Sequence, residues 1–229
     1  MISENILYIK GCIARAAKRV KRDAAGITIV AISKGRSTQQ IWQAIEAGIT
    51  DIGENRVQEA VVKYNDLRYA ISNKPICWHM VGHLQTNKAK EAMKVFDLIQ
   101  SVDSLHLAQA ISKHAKNFGK VQDVLIEVKT SPEATKFGLL PEEALKVIPE
   151  IVKLKNLNVK GLMTIAPLVT NSEEARPYFR VLRELRDSII HLPFAISHLP
   201  VLSMGMTDDF EVAIEEGATM VRLGRAIFA

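Results

Sequence analysis

Residues 27–54 read ITIVAISKGRSTQQIWQAIEAGITDIGE, and this stretch decides the fold. Ile27–Ser33 is short, β-branched and almost continuously apolar, the pattern of a strand buried on both faces of a parallel sheet. Ser37 and Thr38 then open a run with helical periodicity to Ala47, and Gly48 ends it. Thr50–Glu54 (TDIGE) returns to the strand pattern. Strand, helix and strand in 28 residues form one βαβ unit, which pairs its strands in parallel through a right-handed crossover.

The same unit repeats outward. Further apolar runs are expected as strands at Ile76–Val81, Asp97–Ser101, Asp123–Lys129, Val159–Ala166, Pro200–Met204 and Thr219–Leu223. Helical patterns lie between them at Val57–Tyr69, Asn87–Lys94, Leu105–Asn117, Pro141–Leu154, Ser172–Ile190 and Asp208–Glu215. Eight strands in even alternation with helices predict an α/β fold, a single-domain (β/α)8 TIM barrel over 1–229, with a doubly wound open sheet as the alternative. Little chain follows the eighth strand, so no eighth outer helix is expected, and an N-terminal helix over 3–22 is expected to fill its place.

Composition narrows the partners. Two cysteines, Cys12 and Cys77, make no disulfide framework and fit a reducing, cytoplasmic setting. No stretch approaches the roughly 20 apolar residues of a membrane span, and the N-terminus lacks a signal peptide's apolar run. The net charge of +5 invites a nucleic-acid reading. However, its densest cluster, Lys18, Arg19, Lys21 and Arg22, suits the end of a helix and a solvated face. Aromatics are 6% and do not interleave with the basic residues, so base-stacking platforms are not expected.

In such a barrel the chemistry sits where the strands end. Lys34 follows IVAIS directly, where a partly desolvated lysine suits Schiff-base formation; the bland alternative is a solvated lysine opening a loop. Ser203-Met-Gly-Met-Thr207 and Val221-Arg-Leu-Gly-Arg225 follow strands seven and eight, where barrels most often bind phosphate. Their glycines allow backbone N–H groups close approach, Ser203 and Thr207 add hydroxyl donors, and Arg222 offers a planar fork to a phosphate or a ring nitrogen. A lysine and a phosphate cradle across one mouth are what pyridoxal 5'-phosphate (PLP) requires. Asn55 reads equally as a hydrogen-bond partner of that cofactor or as an N-cap. Of His79 and His83, one should face the mouth. No His/Cys/Asp/Glu set has metal-ligand spacing, so no metal is expected, and no serine sits in a nucleophile elbow.

The motifs AISK at 31–34, GENRVQE at 53–59, WHMVGHLQTNKAK at 78–90, SVDS at 101–104, TKFGL at 135–139, GLMTIAP at 161–167, SMGMTDDFE at 203–211 and VRLGRAIF at 221–228 run through nearly the whole chain. By them the chain resembles the pyridoxal phosphate homeostasis proteins, a group whose barrel is like the N-terminal domain of alanine racemase. The resemblance implies Lys34 as the PLP lysine, with Met163, Ser203, Arg222 and Gly224 lining the cofactor and Asn55 nearby. It implies a cytoplasmic, non-catalytic carrier that buffers and delivers PLP and supports amino-acid balance. PLP is then the small-molecule partner and PLP-dependent apo-enzymes the protein partners, with the chain a monomer that binds neither nucleic acid nor membrane. The alternatives are an amino-acid racemase-like enzyme and, further off, a Schiff-base aldolase. Two departures touch the site: Gly35-Arg36-Ser37 after the lysine, and Arg225 where a small residue is common.

Overall fold

A computed structural model describes residues 1–69, 74–133, 136–191 and 199–229. Eight strands close into a parallel barrel in sequence order: β1 (Thr28–Ile32), β2 (Asp51–Glu54), β3 (Cys77–Met80), β4 (Leu98–Val102), β5 (Gln122–Glu127), β6 (Leu157–Met163), β7 (Val201–Ser203) and β8 (Met220–Leu223). β1 pairs with both β2 and β8, Val30 lying opposite Asp51 on one side and Arg222 on the other. The open-sheet alternative is thereby ruled out.

The outer layer comprises α1 (Ile2–Arg19), α2 (Thr38–Glu46), α3 (Val57–Leu67), α4 (Ala89–Ala92), α5 (Leu105–Asn117), α6 (Pro141–Val152), α7 (Arg176–Ile190), α8 (Phe210–Glu215) and α9 (Arg225–Phe228). Some expectations need correction. A one-turn helix, α9, does follow β8, because Gly224 takes the N-cap position and the chain turns at once. The stretch before α7, Ser172–Ala175, winds as a 3-10 turn started by the Asn171 side chain, so α7 begins four residues later than the periodicity suggested.

α1 packs on the outside of the barrel against α2, α8 and α9. Ile6, Ile9, Ile13, Ala16 and Ala17 are buried. Asn5 donates to the carbonyls of Ile227 and Ala229 at 3.0 and 3.1 Å. Arg22 caps the carbonyls of Ile214 and Ala218 at 2.7 and 2.8 Å, and Arg19 pairs with Glu211 and Glu215. Half of the basic cluster is therefore structural glue rather than a free cationic face. No helix among the described residues is long and apolar enough to cross a membrane.

Inside the barrel, Val30, Leu98, Leu125, Met163 and Met220 pack together. Two glycines make that packing possible. A Cβ on Gly53 would meet the side chains of Ile32 and Val30 at 2.6 and 2.9 Å, and one on Gly161 would lie 1.9 Å from the Val201 carbonyl oxygen. The apolar filling stops short of the upper interior, where polar groups take over.

Candidate cofactor site at the barrel mouth

Lys34 occupies the turn after β1, closed by the Arg36 N–H donating to the Ser33 carbonyl at 2.9 Å. Gly35 takes φ +66°, a left-handed conformation that glycine adopts without strain. Lys34 lines a cavity of about 530 Å³ with Asn55, Met80, Gly82, His83 and Lys88. It faces the mouth, as the strand pattern requires, but it is exposed, so the expected partial desolvation is not found. Asn55 is half-buried at the same cavity. It does not cap α3, since Arg56 holds the N-cap position and makes no side-chain cap. The loop is pinned instead by backbone proximity: a Cβ on Gly82 would stand 2.4 Å from the Asn55 carbonyl oxygen.

The floor of the mouth is a chain of buried hydrogen bonds. Arg222 donates from Nη1 to Ser203 Oγ at 2.7 Å and from Nη2 to the Thr164 carbonyl at 2.8 Å. The Ser203 hydroxyl donates to Gln100 Oε1 at 2.6 Å. Gln100 Nε2 lies 2.8 Å from His79 Nδ1, and His79 Nε2 lies 2.9 Å from Asp51 Oδ1. The Ser203 oxygen accepts from Arg222 and its proton goes to Gln100 Oε1; with the Gln100 amide donating to Nδ1, the proton of a neutral His79 lies on Nε2, facing Asp51. Burial alone would raise the Asp51 pKa, but the bonds from His79 and Thr50 outweigh it and hold the carboxyl below its usual value. Burial brings Arg222 down to about 10, with Asp209 and Glu127 opposing it, so it remains a cation at neutral pH.

This chain and the packing beneath it give the surroundings of two of the expected cofactor residues. The Ser203 hydroxyl is committed to Gln100 and so supports Arg222 rather than standing free as a donor. Met163 belongs to the apolar cluster beneath the mouth and lines neither mouth cavity. Gly224, partly exposed, sits beside Ile32 at the end of β1, across from the Lys34 turn. Of the two histidines, His79 is the satisfied core residue and His83 the mouth residue, its Nδ1 3.0 Å from Asp103 and its ring stacked on Phe137.

Glu127 was not singled out by sequence reading. It ends β5, is 5% exposed, and its Oε2 is buried with no hydrogen-bond partner. Burial and then the nearby Asp103 push its pKa up to about 7, with Arg222 pulling the other way. It lines a second cavity of about 270 Å³ that shares Asn55, Gly82 and His83 with the first and adds Lys129 and Lys136. The one usable signal was alternation: Glu127 stands two residues after the inward-facing Leu125. In the TKFGL motif, Thr135 lies outside the described residues.

At the other end of the barrel, Asp51, Cys77 and His79 bring three ligand atoms within 4.8 Å of one another, a juxtaposition the sequence spacing did not reveal. The His79 nitrogen facing Asp51 carries a proton, and burial pushes the Cys77 thiol up to about 12.

PLP, the group the sequence implies, meets a fitting set of residues. The backbone N–H groups of Gly224 and Arg225 donate to no acceptor among the described residues, Arg222 is a cation beneath them, and Lys34 is the primary amine at the rim. The Glu127 oxygen is a further polar atom with no partner inside the protein.

The chain has relatives among known proteins over nearly its whole length. The profile of the alanine racemase N-terminal domain matches residues 3–229. The pyridoxal phosphate homeostasis protein of Aquifex aeolicus is 44% identical over 216 residues, 94% of this chain and 92% of that protein. A protein of unknown function from Bifidobacterium adolescentis superposes with a TM-score of 0.94 at 36% identity, over 99% of this chain and 94% of that one. PipY of Synechococcus elongatus, solved with PLP bound, superposes with a TM-score of 0.86 at 31% identity over the full length of both chains. The chain belongs to the alanine racemase N-terminal domain family and, within it, to the pyridoxal phosphate homeostasis proteins.

Proposed function

We propose that this protein binds PLP through Lys34 and buffers and delivers it inside the cell without turning over a substrate. The observation that carries the reading is the pairing, in one mouth, of an accessible lysine amine with a buried arginine and free backbone N–H groups after β8. Bound, the cofactor supplies an aldehyde that condenses with a primary amine, and a phosphate dianion. Lys34 supplies the amine; Gly224 and Arg225 offer N–H donors to the phosphate; Arg222 lies below, with Ser203 fixing its orientation. Asn55 is placed to bond the cofactor's polar edge, and Met163 supports the floor from beneath. The exposure of Lys34 supports delivery, because water or a competing amine reaches the attachment point. Apo-enzymes are the recipients, and a monomer leaves the mouth open to them.

The racemase-like alternative requires a second base opposite the lysine. Tyr8, Tyr64 and Tyr178 lie on outer helices and Tyr69 just beyond α3, so none reaches the mouth. Glu127 is the observation in that alternative's favour, as a buried carboxyl titrating near neutrality beside the Lys34 cavity. The test is a visible spectrum of the purified protein before and after borohydride, with Lys34→Ala alongside and an amino-acid racemisation assay. Expected are a band that borohydride removes, a phosphopyridoxyl group on the Lys34 peptide, and no racemisation. A Lys34→Ala protein that still fixes PLP covalently overturns the role of Lys34; sustained racemisation overturns the carrier.

A further inference from the structure

The turn that bears Lys34 is held from outside the barrel by three charged side chains of one segment, 54–63. Lys63 on α3 spends all three ammonium donors there: on the Ser33 carbonyl at 2.5 Å, on Glu54 Oε1 at 2.6 Å and on Glu59 Oε1 at 2.6 Å. The Ser33 hydroxyl donates to Glu54, and the Gly35 N–H donates to Glu59 at 2.7 Å. The carbonyl preceding Lys34 and the amide following it are therefore both anchored to the same cluster, while the Lys34 side chain lies free of it at the mouth. Lys63 and Glu54 are buried, at 7% and 0% exposure. Buried ion clusters of this kind are weak sources of stability and are better suited to fixing one geometry.

We infer that Lys63, with Glu54 and Glu59, is a positioning unit for Lys34, setting the backbone from which the lysine reaches the cofactor while touching neither cofactor nor amine. This rests on the reading of Lys34 as the PLP lysine. The chemistry explains the design. A lysine stem has four rotatable bonds and much rotamer freedom, so only a fixed Cα confines the amine to the cofactor's aldehyde. Gly35, in its left-handed conformation, would otherwise let the turn reorient.

The experiment compares wild type, Lys63→Met, Lys63→Arg and Glu59→Ala, each first checked for a cooperative thermal transition and a wild-type far-UV circular dichroism spectrum. Two ligands are titrated: PLP, followed by absorbance and by borohydride trapping on the Lys34 peptide, and pyridoxamine 5'-phosphate, which lacks the aldehyde and engages the phosphate and ring sites alone. The expected result for Lys63→Met is PLP loading at least tenfold weaker or slower, with pyridoxamine phosphate affinity within twofold of wild type and partial rescue by Lys63→Arg. Glu59→Ala, at a partly exposed position, is expected to lose severalfold in loading rate and decides the matter should Lys63→Met not fold. Folded variants that load PLP like wild type overturn the positioning role. So does an equal loss of both ligands, which would mark general damage to the mouth. A wild-type protein that never fixes PLP on Lys34 overturns the cofactor reading itself, and the inference with it.

Discussion

Replacing Glu127 by glutamine should remove a pH-dependent loss of stability from the apo-protein. The carboxyl ends β5 with one oxygen buried and unpartnered, and burial followed by the proximity of Asp103 pushes its pKa from 4.5 up to about 7. A raised pKa means that the folded state holds the proton more tightly than the unfolded chain. The associated stability is fully present below about pH 4.5 and is lost as pH rises through about 7. At about 1.4 kcal/mol for each tenfold change in proton affinity, the shift corresponds to an upper figure of about 3 kcal/mol. For a chain of this size that is roughly 6–12 °C in melting temperature. The assay is thermal and urea unfolding of wild type and Glu127→Gln between pH 4.5 and pH 8. The wild type should fall relative to the variant across that window, the gap opening chiefly between pH 5 and 7.5. Parallel curves would refute the reasoning, because they would mean that Glu127 is ionised and satisfied in the folded state.

Three further outcomes follow from other parts of the barrel. Gly161→Ala places a methyl against the Val201 carbonyl and should cost about 3 kcal/mol or more, read as a lowered melting temperature or loss of folded protein. Ser203→Ala cuts the link between Arg222 and Gln100, leaving both short of a partner; it should cost about 1–3 kcal/mol in urea unfolding and weaken PLP binding. Arg19→Ala breaks half-exposed ion pairs to Glu211 and Glu215, so it should change stability by about 1 kcal/mol or less, and less still in high salt.

The parts of the site that local pattern determines were legible in the sequence. Lys34 was readable because the loops that follow barrel strands form the mouth, and ITIVAIS shows where that strand ends. The glycines after β7 and β8 were readable for the same reason. What depends on distant partners was not. Ser203 looks like a free donor until Gln100, 103 residues away, is seen to accept its hydrogen bond. Asn55 looks like an N-cap until Gly82 is seen to hold its backbone, which moves the cap to Arg56. α8 starts at Phe210 rather than Asp208, because Asp209 turns back to accept the Met206 N–H at 2.5 Å. The turn that carries Lys34 is bonded to Glu59 and Lys63, 24 and 30 residues from their partners in it, and no local pattern shows that.

The two halves of the mouth are supported by separate devices, and this bears on the choice between carrier and enzyme. Arg222 is held through the interior by a chain whose donors all point the same way, from its guanidinium through Ser203, Gln100 and neutral His79 to the carboxylate of Asp51. Lys34 is held from the exterior by the cluster on α3. Neither device closes the mouth: the lysine stays exposed, and Glu127, a buried acid with one unpartnered oxygen, lines the adjoining cavity. Catalysis at an amino-acid carbon depends on fixed dipoles in a site that excludes water. A mouth that fixes the backbone and the arginine but leaves the amine in solvent is suited to holding a cofactor firmly and yielding it to another amine. Glu127 is the group that separates the two readings. If it served as a second base, Glu127→Gln would abolish a measurable racemisation; in a carrier there is no racemisation to lose, and the substitution shows itself only in the pH profile of stability.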